Sequence, residues 1–438
     1  MIILGLMSGT SLDGLDMAAC KFWVENKQWK YEIIKAETYQ YNFQEKEILK
    51  NAINLSGAEL ISLHHQYGNL IGQKVNEFCQ QHQIKSDYIA SHGHTIFHQP
   101  NNQSNFFTNQ ENPSSTNQNS KSPIHNSKFT IDNSQSPIHN SQFTIQNSKS
   151  PIQNPQHPIH NSQFTIHNSK SLIHNSTFTI HNSKSPIHNS QFTGFTFQLG
   201  HGADISAQTG IKTICDFRTT DVAYGGQGAP LVPIGDELLF SAFDYCLNLG
   251  GISNISFNEN GIRNAFDIGI CNIALNNLSE EINLTYDKDG LIAQSGKTNE
   301  SLLNQLINAA KINHLNQHSL GFEWYKNFME PLLRLSEASI PDKLSTVCEF
   351  IALQIAHTIN TNGKILITGG GAKNKFLIEC IKHKVNNQIV IPDEQLTDFK
   401  EALIFAFLGM LRVNESVNAL CQVTGASKDT SGGCIYLP

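Results

Sequence analysis

The run Ile2-Ile3-Leu4-Gly5-Leu6-Met7 is continuously apolar over the length of a strand. It breaks into Ser8-Gly9-Thr10-Ser11-Leu12-Asp13-Gly14 before apolar residues return at Leu15-Asp16-Met17-Ala18-Ala19-Cys20. That alternation predicts strand, small-residue turn, strand. Cys246-Leu247-Asn248-Leu249-Gly250-Gly251-Ile252-Ser253-Asn254-Ile255-Ser256-Phe257 repeats the device in the second half. A third glycine turn, in Lys364-Ile365-Leu366-Ile367-Thr368-Gly369-Gly370-Gly371-Ala372-Lys373-Asn374, precedes an amphipathic pattern over 376–381. It therefore reads as strand, turn, helix. Leu344, Val347, Phe350, Ile351, Ile355 and Ile359 recur at helical spacing and predict a core-facing helix.

Between the first two turns the pattern changes character. Residues 101–193 contain no Gly, Ala, Val, Cys, Met, Trp or Tyr, and isoleucine recurs every seven residues from 124 to 187, in units such as Ile124-His125-Asn126-Ser127. A coiled coil would need a second apolar position per heptad and no recurrent proline. A solenoid would want glycine at its corners and a denser apolar interior. So polar a tract buries too little to offset ordering entropy, and disorder is expected, with a weak β-solenoid as the alternative. Eight histidines lie here, yet repeat expansion in a surface loop accounts for them better than metal capture.

Composition narrows the rest. The 438 residues minus this tract leave roughly 345, ordinary for a two-lobed enzyme. The net charge of −7 divides into +3 on the tract and −10 on its flanks, which disfavours a nucleic-acid-binding surface. Nine scattered cysteines without a C-x-x-C read as reduced thiols, and neither an export signal nor an apolar run of about 20 residues is visible. A cytoplasmic protein is expected.

A hairpin turn of Gly, Ser and Thr exposes backbone N–H groups with no bulky side chain in the way, and can wrap an anionic phosphate. Asp13 could then hold magnesium; an ordinary polar hairpin is the alternative. Neither a P-loop nor a dinucleotide fingerprint occurs. Two hairpin turns, one in each half, plus a late glycine turn before a helix suggest two α/β lobes closing over a nucleotide. The arrangement resembles the actin/Hsp70/sugar-kinase superfamily. A narrower match lies in Met7-Ser8-Gly9-Thr10-Ser11-Leu12-Asp13-Gly14, Ser91-His92-Gly93-His94-Thr95, Asp216-Phe217-Arg218, Gly225-Gly226-Gln227-Gly228-Ala229-Pro230-Leu231-Val232-Pro233 and Val423-Thr424-Gly425-Ala426. Together these resemble the anhydro-N-acetylmuramic acid kinase family along the whole chain apart from the tract.

The resemblance implies an α/β, two-lobed actin/Hsp70/hexokinase-like fold, with lobe I at 1–100 and 194–240, lobe II at 241–438 and the tract looped out of lobe I. It implies ATP with Mg2+, a small amino sugar as substrate, and hydrolytic opening of a 1,6-anhydro bridge with phosphorylation of O6. A homodimer is compatible with it. Triphosphate contacts fall on Gly9, Thr10, Ser11, Leu12, Asp13, Gly14, Leu15, Asp16, Gly250, Gly251, Ser253 and Asn254, and adenosine contacts on Gly369, Gly370, Gly371 and Asn374. Such a reaction needs a carboxylate base and cationic groups near the migrating phosphoryl group. Asp267 is the first choice of base and Asp221 the second; a helix-capping role is the plainer alternative for Asp267. His92, His94, Arg218 and Glu401 are the sugar-contact candidates, against a structural Arg–Asp pair for Arg218 and helix-terminus stabilisation for Glu401.

His92, His94 and His98 invite a zinc assignment, but no carboxylate or cysteine stands at ligand spacing. Where the family reads Asp-Thr-Gly-Pro-Gly-Asn, this chain has Asp267-Ile268-Gly269-Ile270-Cys271-Asn272. That departure favours a non-catalytic sugar sensor or actin-like assembly protein as a rival. A plain sugar or acetate kinase of the same superfamily is the other.

Overall fold

The computed structural model describes residues 1–9, 12–100, 143–146, 164–167, 194–313 and 322–438. Strands β1 (Ile2–Ser8), β2 (Gly14–Glu25) and β3 (Gln28–Gln40) form an antiparallel meander, and β4 (Tyr88–Gln99) lies parallel to β1. Two short strands of the repeat tract, β5 (Phe143–Gln146) and β6 (Phe164–His167), pair in parallel three repeat units apart, within a unit of their own spanning Phe106–Asn189. Otherwise the expected disorder of 101–193 lies outside the described residues. After the tract, β7 (Phe195–Leu199) returns antiparallel along β4, Phe195 opposite Gln99, so the tract occupies the place of a hairpin turn. β8 (Lys212–Cys215) adds parallel to β4.

The second sheet repeats the first. β9 (Tyr245–Leu249), β10 (Ile252–Glu259) and β11 (Ile262–Ile270) make another antiparallel meander, and β12 (Lys364–Thr368) and β13 (Gln388–Val390) extend it in parallel. The spatial orders are β3-β2-β1-β4-β8 and β11-β10-β9-β12-β13, one topology used twice. The last strand, β14 (Cys434–Tyr436), pairs with β8 in the first sheet. This pairing, made by a segment from the 241–438 stretch expected as lobe II, covers the edge that β8 would otherwise leave open.

The helices are α1 (Phe43–Asn51), α2 (Gly57–His82), α3 (Gly202–Thr209), α4 (Thr219–Ala223), α5 (Val232–Leu239), α6 (Asn272–Glu280), α7 (Leu291–Ser295), α8 (Glu300–Asn313), α9 (Phe322–Trp324), α10 (Glu330–Leu335), α11 (Ile340–Thr358), α12 (Lys375–Lys382), α13 (Glu394–Val413) and α14 (Cys421–Thr424). Ser56 and Glu59 form a capping box that starts α2, whose apolar side packs with α3 on one face of the first sheet. Helices α6, α8 and α11 cover the outer face of the second sheet, with the periodic residues Leu344, Val347, Phe350, Ile351 and Ile355 buried among them.

Helix α13 lies between the sheets. Nearly every residue from Ala402 to Leu411 is buried, against Ile3, Ala18 and Cys20 of the first sheet and Cys246 and Leu366 of the second. A helix apolar on all sides is what such a position demands. Among the described residues no helix is long and apolar enough to cross a membrane. All nine cysteines are unpaired, and six are buried.

Candidate functional site

Ser8, at the end of β1, is buried and accepts a hydrogen bond from the Tyr41 hydroxyl at 2.9 Å; Tyr41 in turn meets the Tyr67 hydroxyl at 2.5 Å. His94 Nδ1 stands 3.4 Å from Ser8 Oγ. The end of β1 is thus braced by β4, by α2 and by the segment that follows β3. Thr10 and Ser11 lie outside the described residues. Leu12 takes φ +58° and donates its N–H to the Gly9 carbonyl at 3.3 Å, a strained conformation for leucine that only an over-determined turn maintains. Asp13 is exposed at the tip. Leu15 is buried in the core with Tyr67 and Ile71, so only its backbone is available to a nucleotide. Asp16 accepts from Thr38 Oγ1 at 2.6 Å. Burial, with the charges of Glu401, Asp13 and Asp398 nearby, raises its carboxyl to about 6.

The second and third turns touch. Gly369 has φ +85°, and a Cβ there would fall 2.5 Å from Asn248 Oδ1 and 2.9 Å from the Leu249 carbonyl, so only glycine fits. The carbonyls of Gly250 and Gly251 accept from the N–H groups of Asn272 (3.1 Å), Cys271 (2.9 Å) and Ile273 (3.2 Å). The turn thereby caps α6, doing what a side chain at Cys271 does not. Ser253 is buried and donates to the Gly269 carbonyl at 3.0 Å, which makes it a cross-strand brace. Asn374 Oδ1 caps α12 through the Leu377 N–H at 2.9 Å. Gly370 and Gly371 open the short helical turn between Gly369 and Asn374.

Pairing register puts Thr368, Asn248, Asn254 and Asp267 side by side on four adjacent strands. This polar row ends at the two glycine turns, and Thr368 Oγ1 within it is buried without a hydrogen-bond partner among the described residues. Asp267 lies inside β11, four positions before Cys271, which holds the N-cap position of α6.

A second cluster gathers on the first-sheet side. Arg218 donates through Nε (3.1 Å) and Nη2 (2.8 Å) to His92 Nε2, and through Nη1 to the Gly228 carbonyl at 2.7 Å. His92 must then carry its proton on Nδ1, which faces the Gly93 carbonyl at 2.9 Å. Burial and the Arg218 charge hold the His92 imidazole well below the usual histidine range. Burial lowers Arg218 to about 10, opposed by the Glu401 charge; burial raises Glu401, opposed by Lys400 and Arg218.

Asp221, one turn along α4, is fully buried. It accepts from the Gly228 N–H at 2.8 Å and Thr424 Oγ1 at 2.7 Å, and burial raises its carboxyl. The structural Arg–Asp pair proposed for Arg218 is therefore not formed with Asp221. Helix α14, which carries Thr424, packs on β11, the strand of Asp267.

Helix α13 ties the clusters together. The Gly369 N–H donates to the Thr397 carbonyl at 3.1 Å, and Lys373 Nζ lies 2.6 Å from Asp398. Phe399 leaves helical geometry (φ −111°, ψ 16°) immediately before Lys400 and Glu401. Lys400 is buried 2.7 Å from Asp236 Oδ1 on α5, while Arg263 of β11 stands 3.8 Å from Asp236 Oδ2, which also takes the Ser256 hydroxyl. Sequence reasoning missed Asp236, Lys400, Arg263, Tyr41 and Tyr67. Their partners are distant along the chain, and no spacing marks them. Thr424 was visible as part of a motif, without a role.

Two sheets of one topology, glycine turns meeting at their ends and buried acids beside an arginine define a two-lobed kinase of the actin/Hsp70/sugar-kinase class. The sequence profile of anhydro-N-acetylmuramic acid kinase matches residues 1–116 and 173–438, interrupted within the repeat tract. The chain belongs to the anhydro-N-acetylmuramic acid kinase family, phosphotransferases with an alcohol group as acceptor. It is 26% identical over 469 residues to the anhydro-N-acetylmuramic acid kinase of Caldanaerobacter subterraneus subsp. tengcongensis, covering 100% of this chain and 97% of that one. To that of Mannheimia succiniciproducens it is 27% identical, covering 99% and 98%. To that of Vibrio cholerae it is 36% identical over 258 residues, covering 56% of this chain and 70% of that one.

Proposed function

We propose that this chain uses ATP and Mg2+ to convert 1,6-anhydro-N-acetylmuramic acid to N-acetylmuramic acid 6-phosphate in the cytoplasm, as part of cell-wall sugar recycling. Water adds to C1, the C1–O6 bond breaks with its electron pair on O6, and O6 attacks the γ-phosphorus. The bond to the β,γ-bridging oxygen breaks and ADP leaves; the base takes the proton of the attacking water. The unpaired cysteines support a reducing compartment.

Hard oxygen donors suit magnesium, and Asp13 and Asp16 supply them; the raised Asp16 carboxyl, crowded by Glu401, Asp13 and Asp398, is the environment a divalent cation relieves. When bound, the ion neutralises charge on the transferring phosphates. The turns at 9–14 and 250–251 hold the triphosphate, and those at 369–371 with Asn374 the adenosine. His92 fixes the Arg218 fork toward sugar or phosphoryl oxygens, with Glu401 beside it.

Of the two candidate bases, Asp221 is preferred. It lies on α4, whose N-cap is Arg218, burial raises its carboxyl, and two hydrogen bonds leave about two of its four lone-pair sites for a water proton. Asp267 belongs to the polar row that ends at the second and third turns, so a role on the phosphate side suits it better. The observation that carries the reading is that α13 holds the third glycine turn through the Thr397 carbonyl and carries Glu401, whose charge acts both on Asp16 beside the first turn and on Arg218. The test is turnover in oxygen-18 water, with label at C1 and phosphate at O6 of one product. Asp221→Asn should cut kcat by about 100-fold or more. Full turnover by that variant, or ADP formation without ring opening, would reverse the assignment.

A further inference from the structure

His65 of α2, His201 at the start of α3 and Asp204 in the first turn of α3, none of them among the residues assigned to phosphate or sugar, converge on one point. His65 Nδ1 lies 2.6 Å and His201 Nδ1 2.8 Å from the same oxygen, Asp204 Oδ2. The ligand atoms of all three lie within 4.8 Å of one another. A four-coordinate zinc shell spaces its ligand atoms roughly 3.3 Å apart, so a small rotation of the imidazoles would close the set. His65 and Asp204 are 47% and 25% exposed, which leaves an entry path and room for a fourth, solvent ligand.

The convergence is built into the backbone. Gly68, one turn beyond His65, lets α3 begin directly on α2: a Cβ there would sit 2.8 Å from the His201 carbonyl oxygen and 3.0 Å from its nitrogen. Any larger residue would part the two helices and separate the histidines. The His65 and His201 rings are 4.4 Å apart, and the His64 ring, 5.1 Å from His201, adds a buried Nδ1 with no hydrogen-bond partner among the described residues. Two imidazoles and a carboxylate make a borderline-soft set that suits zinc and its neighbours better than magnesium or calcium.

We infer that His65, His201 and Asp204 form a surface site for a divalent transition-metal ion, zinc being the natural occupant, that staples α2 to α3. The test titrates the full chain with Zn2+ calorimetrically and with Co2+ by visible absorption, comparing wild type with His201→Gln, His65→Asn and Asp204→Asn. Every variant retains the histidines of the repeat tract, so weak binding by those cancels in the comparison. The expected result is one Zn2+ equivalent bound at least 10-fold more tightly by wild type than by any variant, the strong absorption of four-coordinate cobalt in wild type alone, and a Zn2+-dependent rise in Tm absent from the variants. Metal-free melting within about 2 °C of wild type shows that the variants fold, since these side chains are partly exposed. Identical isotherms in wild type and folded variants, or cobalt spectra of six-coordinate type throughout, would overturn the assignment.

Discussion

Lys400→Met probes the joint between the sheets. Lys400 and Asp236 are both about 95% or more buried, and Lys400 brings its charge to 2.7 Å from Asp236 Oδ1 in a geometry that leaves this oxygen without an aligned hydrogen bond. Removing the ammonium strands the carboxylate with Arg263, 3.8 Å away, as its remaining cationic neighbour. Breaking a buried pair costs roughly 3–5 kcal/mol, and the residual Arg263 attraction puts this case near the lower end, about 3 kcal/mol. At roughly 2–4 °C per kcal/mol, or somewhat less for a chain this long, Tm should fall by several degrees. Because Lys400 sits between the Phe399 kink and Glu401, the sugar KM should rise as well, while the ATP KM changes little. The assay is thermal unfolding followed by fluorescence, beside steady-state kinetics with each substrate varied. A melting curve within 1 °C of wild type with an unchanged sugar KM would mean that the network neither holds the sheets together nor positions Glu401.

Gly369→Ala should destabilise by more than about 1 kcal/mol, since alanine at φ +85° is strained and its Cβ would collide with Asn248; the ATP KM should rise with it, as read by melting and kinetics. His92 is held well below its unfolded value near 6.5, so below that pH the unfolded chain binds a proton the folded chain refuses, and stability is lost as pH falls. His92→Gln, which keeps an acceptor for Arg218, should flatten that loss between pH 7 and 5 in urea titrations. Replacing 101–193 with a two-residue hairpin turn should leave kcat and Tm nearly unchanged, because Gln99 and Phe195 already pair across the gap.

Much of the fold was legible because its devices are local. Each meander announces itself as apolar run, glycine turn, apolar run, and the helix at 340–358 shows its buried face in its own spacing. The exchange of β14 into the first sheet was not legible, since a three-residue strand carries no pattern of its own. At the site, the glycine turns, Arg218, His92 and Glu401 stood in recognisable motifs. Whether Arg218 meets Asp221 or His92 depends on side chains 126 residues apart closing in space, and no local signal reports that. The Leu15 side chain faces the core because alternation along β2 turns it inward, despite its nearness to the turn. The Asp236–Lys400–Arg263 group left no trace beyond charged residues in otherwise apolar surroundings.

The pairing of β14 with β8 bears on synthesis of the chain. A ribosome delivers six of the seven strands of the first sheet before residues 394–413 emerge to cover one of its faces, and the edge at β8 stays unsealed until residues 434–436 are free. Throughout translation the nascent N-terminal half therefore displays a bare apolar surface and an unpaired strand, the two features that recruit chaperones or neighbouring chains. A chain lacking residues 434–436 would leave that rim open.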